Sequence, residues 1–361
     1  MLRYMTAGES HGQCLIAVLD GMIAGLGIDK KFIDSELTRR QSGFGRGARM
    51  KIEKDTARIL SGVRKNETIG SSIAVLIDNK DFSIDKLPVV VCPRPGHADL
   101  AGAIKYNRYD VRDVLERSSA RETAVRVAVG AICKLLLEEF NIGIESKVLE
   151  IGGVGAGLAP ALSGQPQGLP LRIIERISTA QKKGDTVGGI FEVIATGAPL
   201  GLGSYAQADK RLTSRLAAAL MSIQAIKGVE IGLGFESAKR YGSEVHDAIF
   251  YDKAKGFYRK TNNAGGIEGG VTNGEPIVAR CAMKPISTLL NALPSVDIKT
   301  KKASKATVER SDICAVGPAG VVGEAVVAFE LANAMLEKFG GDSLGEMKRN
   351  YEGYVKQVKD F

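Results

Sequence analysis

The stretch that most restricts the fold runs over residues 120–140. Ala124, Val127, Ala128, Ala131 and Leu135, with the neighbouring Val125, Ile132 and Leu136, cover most of the circumference of a helix. A helix apolar on nearly every side has little face to offer water, so it belongs inside the protein. Ser119 followed three residues later by Glu122 has the form of a capping box, which predicts that the helix begins there. A helix start held inside carries unpaired N–H groups and a partial positive charge, and Arg117 and Arg121 add two full charges beside it. That combination calls for an anion. His97 lies upstream in the turn Arg94-Pro95-Gly96-His97, and an imidazole near a phosphate site can move protons at neutral pH. The pairing points to chemistry on a phosphorylated, acidic molecule.

Two further long apolar helices are expected. One spans 208–227, with Leu212, Leu216, Ala219, Leu220 and Ile223 on one face, and ends at Gly228. The other opens at Pro318 and runs to Phe339, stopped by Gly340-Gly341. Shorter helices are expected over 34–40 and 171–183, and an amphipathic tail over 344–361 that packs on the surface or on a partner subunit. Between them, 13–23, 56–63, 69–77, 142–154, 188–196, 229–233 and 276–283 read as strands or buried segments. Residues 64–67 form a hairpin turn and 155–168 a loop. Long helices separated by short alternating strands disfavour a doubly wound parallel sheet.

The excess of Lys and Arg, net +8 with pI near 9.1, suits either nucleic acid or small polyanions. Against nucleic acid stand 6% aromatics, no Trp, and arginines interspersed with acids rather than forming a basic stripe. Cys14, Cys92, Cys133, Cys281 and Cys314 contain no C-x-x-C pair. They read as reduced thiols of a cytoplasmic protein, neither a disulfide frame nor a metal site. No apolar run is expected to reach the ~18 residues of a membrane span, and Met1-Leu2-Arg3 opens no signal-peptide pattern.

Several loops carry the chemistry. His11 sits in the glycine-flanked turn Gly8-Glu9-Ser10-His11-Gly12, whereas His246 has polar surroundings and reads as a surface residue. Residues 39–47 place Arg39, Arg40 and Arg46 in a glycine-loosened loop, where guanidinium forks can grip carboxylate or phosphate. Residues 262–274 hold five glycines and read as a decorated hairpin or as a wall against a flat ring system. The segment has neither the Gly-Lys-Ser/Thr of a Walker loop nor the order of a dinucleotide turn. Lys284-Pro285-Ile286-Ser287-Thr288 puts a cation and two hydroxyls in one turn. Lys299, Lys301, Lys302 and Lys305 read as a basic, disordered-looking segment, a solvated loop or a lid that steers anions.

Taken in order, Gly8–Gly12, Arg39-Arg40 with Arg46, Leu60-Ser61-Gly62-Val63, Arg94–Asp99, Arg117–Thr123, Gly228-Val229-Glu230, the 262–274 segment, Lys284–Thr288 and Arg310 with Asp312 resemble the chorismate synthase family. The match covers roughly residues 5–335. The sequence departs at Ala7, where an aromatic is common, at Gln41-Ser42, and at Leu115-Glu116, where many members carry glycines. The resemblance implies an α+β fold, a β-α-β sandwich with long central helices between two antiparallel sheets, in one domain of residues 1–361 that assembles as a homotetramer. It implies conversion of 5-enolpyruvylshikimate 3-phosphate to chorismate and phosphate, the last step of the shikimate pathway, with reduced FMN and no net redox. Arg40, Arg46, Arg94, Arg121 and Arg310 match substrate-binding arginines. His11 matches the proton donor to the departing phosphate, and His97 the donor to the reduced flavin. Asp312 matches an aspartate that assists proton movement, and Ser10 and Ser119 are candidate relays. Arg117, Ser118, Ser119, Gln224, Ala225, Gly269, Lys284, Pro285, Ile286, Ser287, Thr288 and Arg310 match flavin contacts.

Two other readings follow from the same sequence. One is a non-enzymatic nucleic-acid or polyanion binder, motivated by the basic pI. The other is a bifunctional synthase that reduces its own flavin with NADPH. With no separate nucleotide fingerprint, the expectation is an external flavin reductase system, with NADPH as indirect reductant.

Overall fold

The computed structural model describes residues 1–47, 54–155, 170–254 and 256–361. The expected 155–168 loop therefore lies almost wholly outside the described residues. In chain order come β1 (Arg3–Ala7), β2 (Cys14–Asp20), α1 (Lys30–Gln41), β3 (Arg58–Ile59), β4 (Ile73–Asp78), α2 (Asp99–Tyr106), α3 (Arg112–Ser118), α4 (Thr123–Glu138), β5 (Gly143–Ile151) and β6 (Val154–Gly155). They are followed by α5 (Leu171–Lys182), β7 (Gly189–Thr196), α6 (Leu212–Met221), β8 (Ile226–Ile231), β9 (Ile277–Met283), α7 (Val316–Phe339) and α8 (Leu344–Asp360).

The strands form two antiparallel sheets, ordered β1-β2-β4-β3 and β8-β9-β7-β5-β6. In β4 and β9 buried and half-buried residues alternate, so each presents one apolar face inward. Helix α4 packs on β2 and β4, α7 packs on β5 and β7, and the two helices pack on each other. One continuous cluster of buried side chains runs through both sheets and the helix layer. This is the α+β sandwich expected from the resemblance. At the crossing of α4 and α7, a Cβ on Gly130 would lie 2.3 Å from the Ala325 Cβ and 2.4 Å from its Cα. Only a glycine permits that approach.

The 24 residues of α7 are long and apolar enough to cross a membrane, contrary to the expectation that no such run exists. The helix is instead 89% buried between the sheets over its most apolar window. It also carries Glu324, fully buried and bonded to Arg39, Lys134 and Ser146.

Other expectations need correction. The start of the central helix is a 3₁₀ turn, Ala120–Glu122, before α4 begins. The Ser119 hydroxyl accepts the Arg121 N–H, and Glu122 turns to Arg126 and Gln224 instead of reaching back, so the capping box does not close. The helix expected over 208–227 stops at Met221. The Ser222 hydroxyl folds back on Ala219 O at 2.6 Å, Ala225 reverses the chain at φ +68°, and the following residues pair with β9. The basic segment near 299–305 is ordered: Ala303–Lys305 pairs with Pro294–Val296. The turn in 64–67 is present, with Lys65 and Asn66 at φ +52° and +64°, but it joins two two-residue strands separate from β4. Strand β1 and helices α2 and α3 were not anticipated.

Candidate active site

The last turn of α1 sends Arg40 inward to the 3₁₀ turn that precedes α4. Its Nε donates to Thr123 Oγ1 at 2.9 Å and its Nη2 to Ala120 O at 2.8 Å. Nη1 is buried without a hydrogen-bond partner among the described residues, the nearest acid being Asp55 Oδ2 at 3.7 Å. The same Oδ2 takes Arg121 Nη1 at 2.6 Å, so two buried guanidiniums share one carboxylate. Burial pulls Arg40 down to about 10; Asp55 opposes the shift and Arg121 and Arg46 reinforce it. Arg46 pairs with Asp312 at 2.6 Å, Asp312 also accepts the Gly47 N–H, and burial lowers the pKa of this arginine too.

Asn79, at the end of β4, ties this cluster to the His11 turn. Its Oδ1 accepts from Arg121 Nε at 3.0 Å, while its Nδ2 donates to Glu9 O and Gly12 O at 3.2 and 2.8 Å. His11 Nδ1 lies 2.9 Å from Glu116 Oε2. Arg117 donates to Thr6 O at 2.9 Å and Gly8 O at 3.0 Å, fixing the end of β1 against the turn. Ser10 is buried, with its N–H on Glu116 O, and Ser118 bonds weakly to Leu115 O at 3.4 Å.

A second group forms around Asp99, the first residue of α2. This fully buried carboxylate accepts from Arg94 Nε at 2.8 Å and Nη2 at 3.0 Å, and lies 2.5 Å from His97 Nδ1. Burial pushes its pKa up, and the bonds from His97 and Arg94 more than reverse this, holding it well below the usual carboxylate range. Arg94 Nη1 also donates to Thr288 Oγ1 at 2.8 Å, and Lys284 and Ser287 both bond to Gly96 O. The turn from Lys284 to Thr288, including Pro285 and Ile286, is thereby docked on the His97 turn. Gln224-Ala225 link it back to the helix start: Ala225 O accepts the Lys284 N–H at 2.9 Å, and Gln224 Nε2 donates to Glu122 at 2.8 Å.

Thus His11, Arg40, Arg46, Arg121 and Asp312 share one charged network, and Arg94, His97 and Lys284–Thr288 share another joined to it at the helix start. Arg310 is exposed and makes no hydrogen bond or ion pair among the described residues; its neighbour Glu309 is held by Arg112 at 2.9 Å. Gly269 is exposed in the hairpin of Ile267–Glu268 and Val271–Thr272. That hairpin borders a cavity of about 480 Å³ lined by Leu233, His246, Asp247, Asn263 and Glu268, and by none of the arginines. The sequence reading missed Asp55, Asn79, Asp99 and Glu116, each of which holds one of the basic groups in place. The one local signal was polar Asp78-Asn79 closing an apolar strand.

A family model described as chorismate synthase matches residues 2–336. The chain belongs to the chorismate synthase family. The chorismate synthases of Geobacter sulfurreducens and Thermoanaerobacter pseudethanolicus are each 56% identical to it, with 100% of both chains covered. A solved crystal structure of chorismate synthase superposes with a TM-score of 0.80 at 45% identity, covering 100% of this chain and 99% of that one. The α+β sandwich is accordingly the family's fold, and the chain is an enzyme of the family's class, a carbon–oxygen lyase acting on phosphates.

Proposed function

We propose that this enzyme converts 5-enolpyruvylshikimate 3-phosphate to chorismate and inorganic phosphate by anti-1,4-elimination, with reduced FMN as cofactor. The observation that carries the reading is the buried Arg40 guanidinium, whose Nη1 has no hydrogen-bond partner among the described residues and lies 3.7 Å from Asp55. A multiply charged anion supplies that partner. Arg40, Arg46, Arg94, Arg121 and Arg310 bind the substrate in this reading. His11 passes a proton to the departing phosphate, which makes it a better leaving group. His97, held by Asp99, keeps a proton on the cofactor side, with Asp312, Ser10 and Ser119 assisting proton movement.

The residues fit a flavin. Gln224 Oε1 is buried without a partner among the described residues, and a ring N–H would satisfy it. Burial, and then the charge of Lys227, lower the pKa of Lys284, an arrangement that a phosphate group relieves. Arg117, Ser118, Ser119, Gln224, Ala225, Gly269, the Lys284–Thr288 turn and Arg310 would hold the cofactor. When bound, reduced FMN supplies electron density as phosphate leaves and recovers it with the C6 hydrogen, which no side-chain base removes unaided. The protein orients the two ligands and keeps water from them.

The same reading treats residues 1–361 as one domain, supported by the continuous core, and assembles it as a homotetramer in the cytoplasm. Supporting assembly, the hairpin of Ile249–Asp252 and Gly256–Arg259 leaves Ile249, Phe250, Tyr251 and Phe257 exposed beside Phe361. An external system reduces the flavin. The test is anaerobic incubation with dithionite-reduced FMN and substrate: phosphate and chorismate absorbance should rise together in equal amounts. Absence of both products with folded, flavin-loaded protein refutes the reading.

A further inference from the structure

Glu116 is only 1% exposed, at the end of α3. Both its oxygens face His11 Nδ1, at 3.0 and 2.9 Å, and Oε2 also accepts the His11 backbone N–H at 2.8 Å. Its carbonyl accepts the Ser10 N–H at 3.0 Å. One residue therefore grips the ring and the main chain of the histidine turn. Arg112, one turn earlier on α3, donates to Oε1 at 3.2 Å and is itself fixed by Pro88 O at 2.8 Å and Glu309 at 2.9 Å. The acid is anchored on one side and holds the imidazole on the other.

We propose that Glu116 is a positioning residue for His11, fixing the imidazole as its Nδ1–H tautomer so that proton exchange with the phosphate runs through Nε2. An ionised carboxylate only accepts hydrogen bonds, so the ring nitrogen facing it must carry the proton. The charge state agrees: burial raises the Glu116 pKa, and the bonds from His11 and Arg112 outweigh that and bring it below its ordinary value. A buried carboxylate orients a proton-transferring histidine in the same way in serine-protease triads. The proposal rests on the reading of His11 as the proton donor.

The experiment compares Glu116→Ala and Glu116→Gln in the full-length, flavin-loaded enzyme, by steady-state turnover and by ¹⁵N spectra of the histidine rings. Glu116→Ala should lower kcat by about 10²-fold, the scale of a misplaced reacting group, with KM for substrate nearly unchanged. Its His11 signal should move away from the Nδ1–H tautomer. Glu116→Gln keeps the size but has one acceptor in place of two and can turn its NH₂ to Nδ1, as the amide does in the serine-protease triad, so it should also lower kcat by about 10²-fold or more and shift the ring toward the Nε2–H tautomer. Wild-type kcat in a folded Glu116→Ala enzyme overturns the proposal, as does an Nε2–H tautomer for His11 in the wild type. If Glu116→Ala fails to fold, Glu116→Gln decides: wild-type turnover there with an unchanged ring spectrum overturns the proposal. Full turnover in His11→Ala overturns the proton-donor reading instead, and the ring spectra then judge the holding of His11 separately.

Discussion

Glu324 offers the sharpest test of how the helix layer is held. It is fully buried in the middle of α7 and accepts from Arg39 Nη1 and Nη2 at 2.8 and 2.7 Å, from Lys134 Nζ at 2.5 Å and from Ser146 Oγ at 2.6 Å. These bonds tie α1, α4 and β5 to α7. Glu324→Gln removes the charge and turns an NH₂ group toward a cation. Breaking a buried ion pair costs about 3–5 kcal/mol when the remaining charge is stranded. Here Glu36 still meets Arg39 at 2.6 Å and Lys134 at 2.5 Å, and the Arg39 side chain is 45% exposed, so water can resolvate it. The expected loss is therefore smaller, about 2–3 kcal/mol at pH 7. Burial pushes the Glu324 carboxyl up, but the bonds from Arg39 and the charge of Lys134 outweigh it and hold the pKa below the ordinary value. A carboxylate with a depressed folded-state pKa contributes stability that is complete above its unfolded value, near about 4.3, and lost as pH falls through the folded value. The gap between wild type and Glu324→Gln should thus be full at pH 7 and close in acid. Urea unfolding followed by circular dichroism measures it. A variant within about 0.5 kcal/mol of wild type at pH 7, the range of an ordinary surface change, refutes the argument, as does a gap that stays constant into acid.

Three further outcomes follow from the geometry. Gly130→Ala should cost about 3 kcal/mol or more, because the new methyl meets Ala325 main chain as well as side chain; an unchanged melting temperature would contradict the close helix crossing. Asp99→Asn should lower turnover by about 10²-fold, since Arg94 and His97 lose their shared acceptor, and wild-type kinetics would show that the acid does not position them. His11→Ala and His97→Ala should each retain flavin binding, measured by fluorescence quenching, and lose about 10²–10⁴-fold in turnover; near-wild-type activity removes that histidine from the mechanism.

The elements most legible in the sequence were those whose pattern is local. Helix α4 and α7 declared themselves through near-complete apolar coverage, β7 through alternation, and β4 through a short apolar run closed by polar residues. Strand β1 did not, because its residues alternate only between exposed and half-buried, which leaves no strong apolar face to recognise. The helix expected over 208–227 failed where tertiary pairing overrides propensity: residues from Ile226 onward bond to β9, and Ala225 accepts an unfavourable φ to let them. The lysines near 299–305 described their exposed side chains correctly and said nothing of the backbone, which pairs with 294–296. The basic residues of the site were visible as types in glycine-bearing turns. Of their acids only Asp312 was given a role, since Asp55 meets Arg121 across 66 positions and Glu116 meets His11 across 105.

The carboxylates explain how so many cations are placed in one interior. An isolated buried guanidinium is too costly to keep, so each needs a carboxylate or a hydrogen-bonded carbonyl nearby. Complete pairing, however, would leave nothing to attract a polyanion. Arg40 stands between these limits: it lies 3.7 Å from Asp55, its Nη1 has no hydrogen-bond partner among the described residues, and burial draws its pKa down. Arg46 with Asp312, Arg94 with Asp99 and His11 with Glu116 are instead matched pairs, which set geometry more than net charge. On this account affinity for the substrate's charge comes chiefly from Arg40 beside the start of α4, and the paired groups supply orientation for proton transfer.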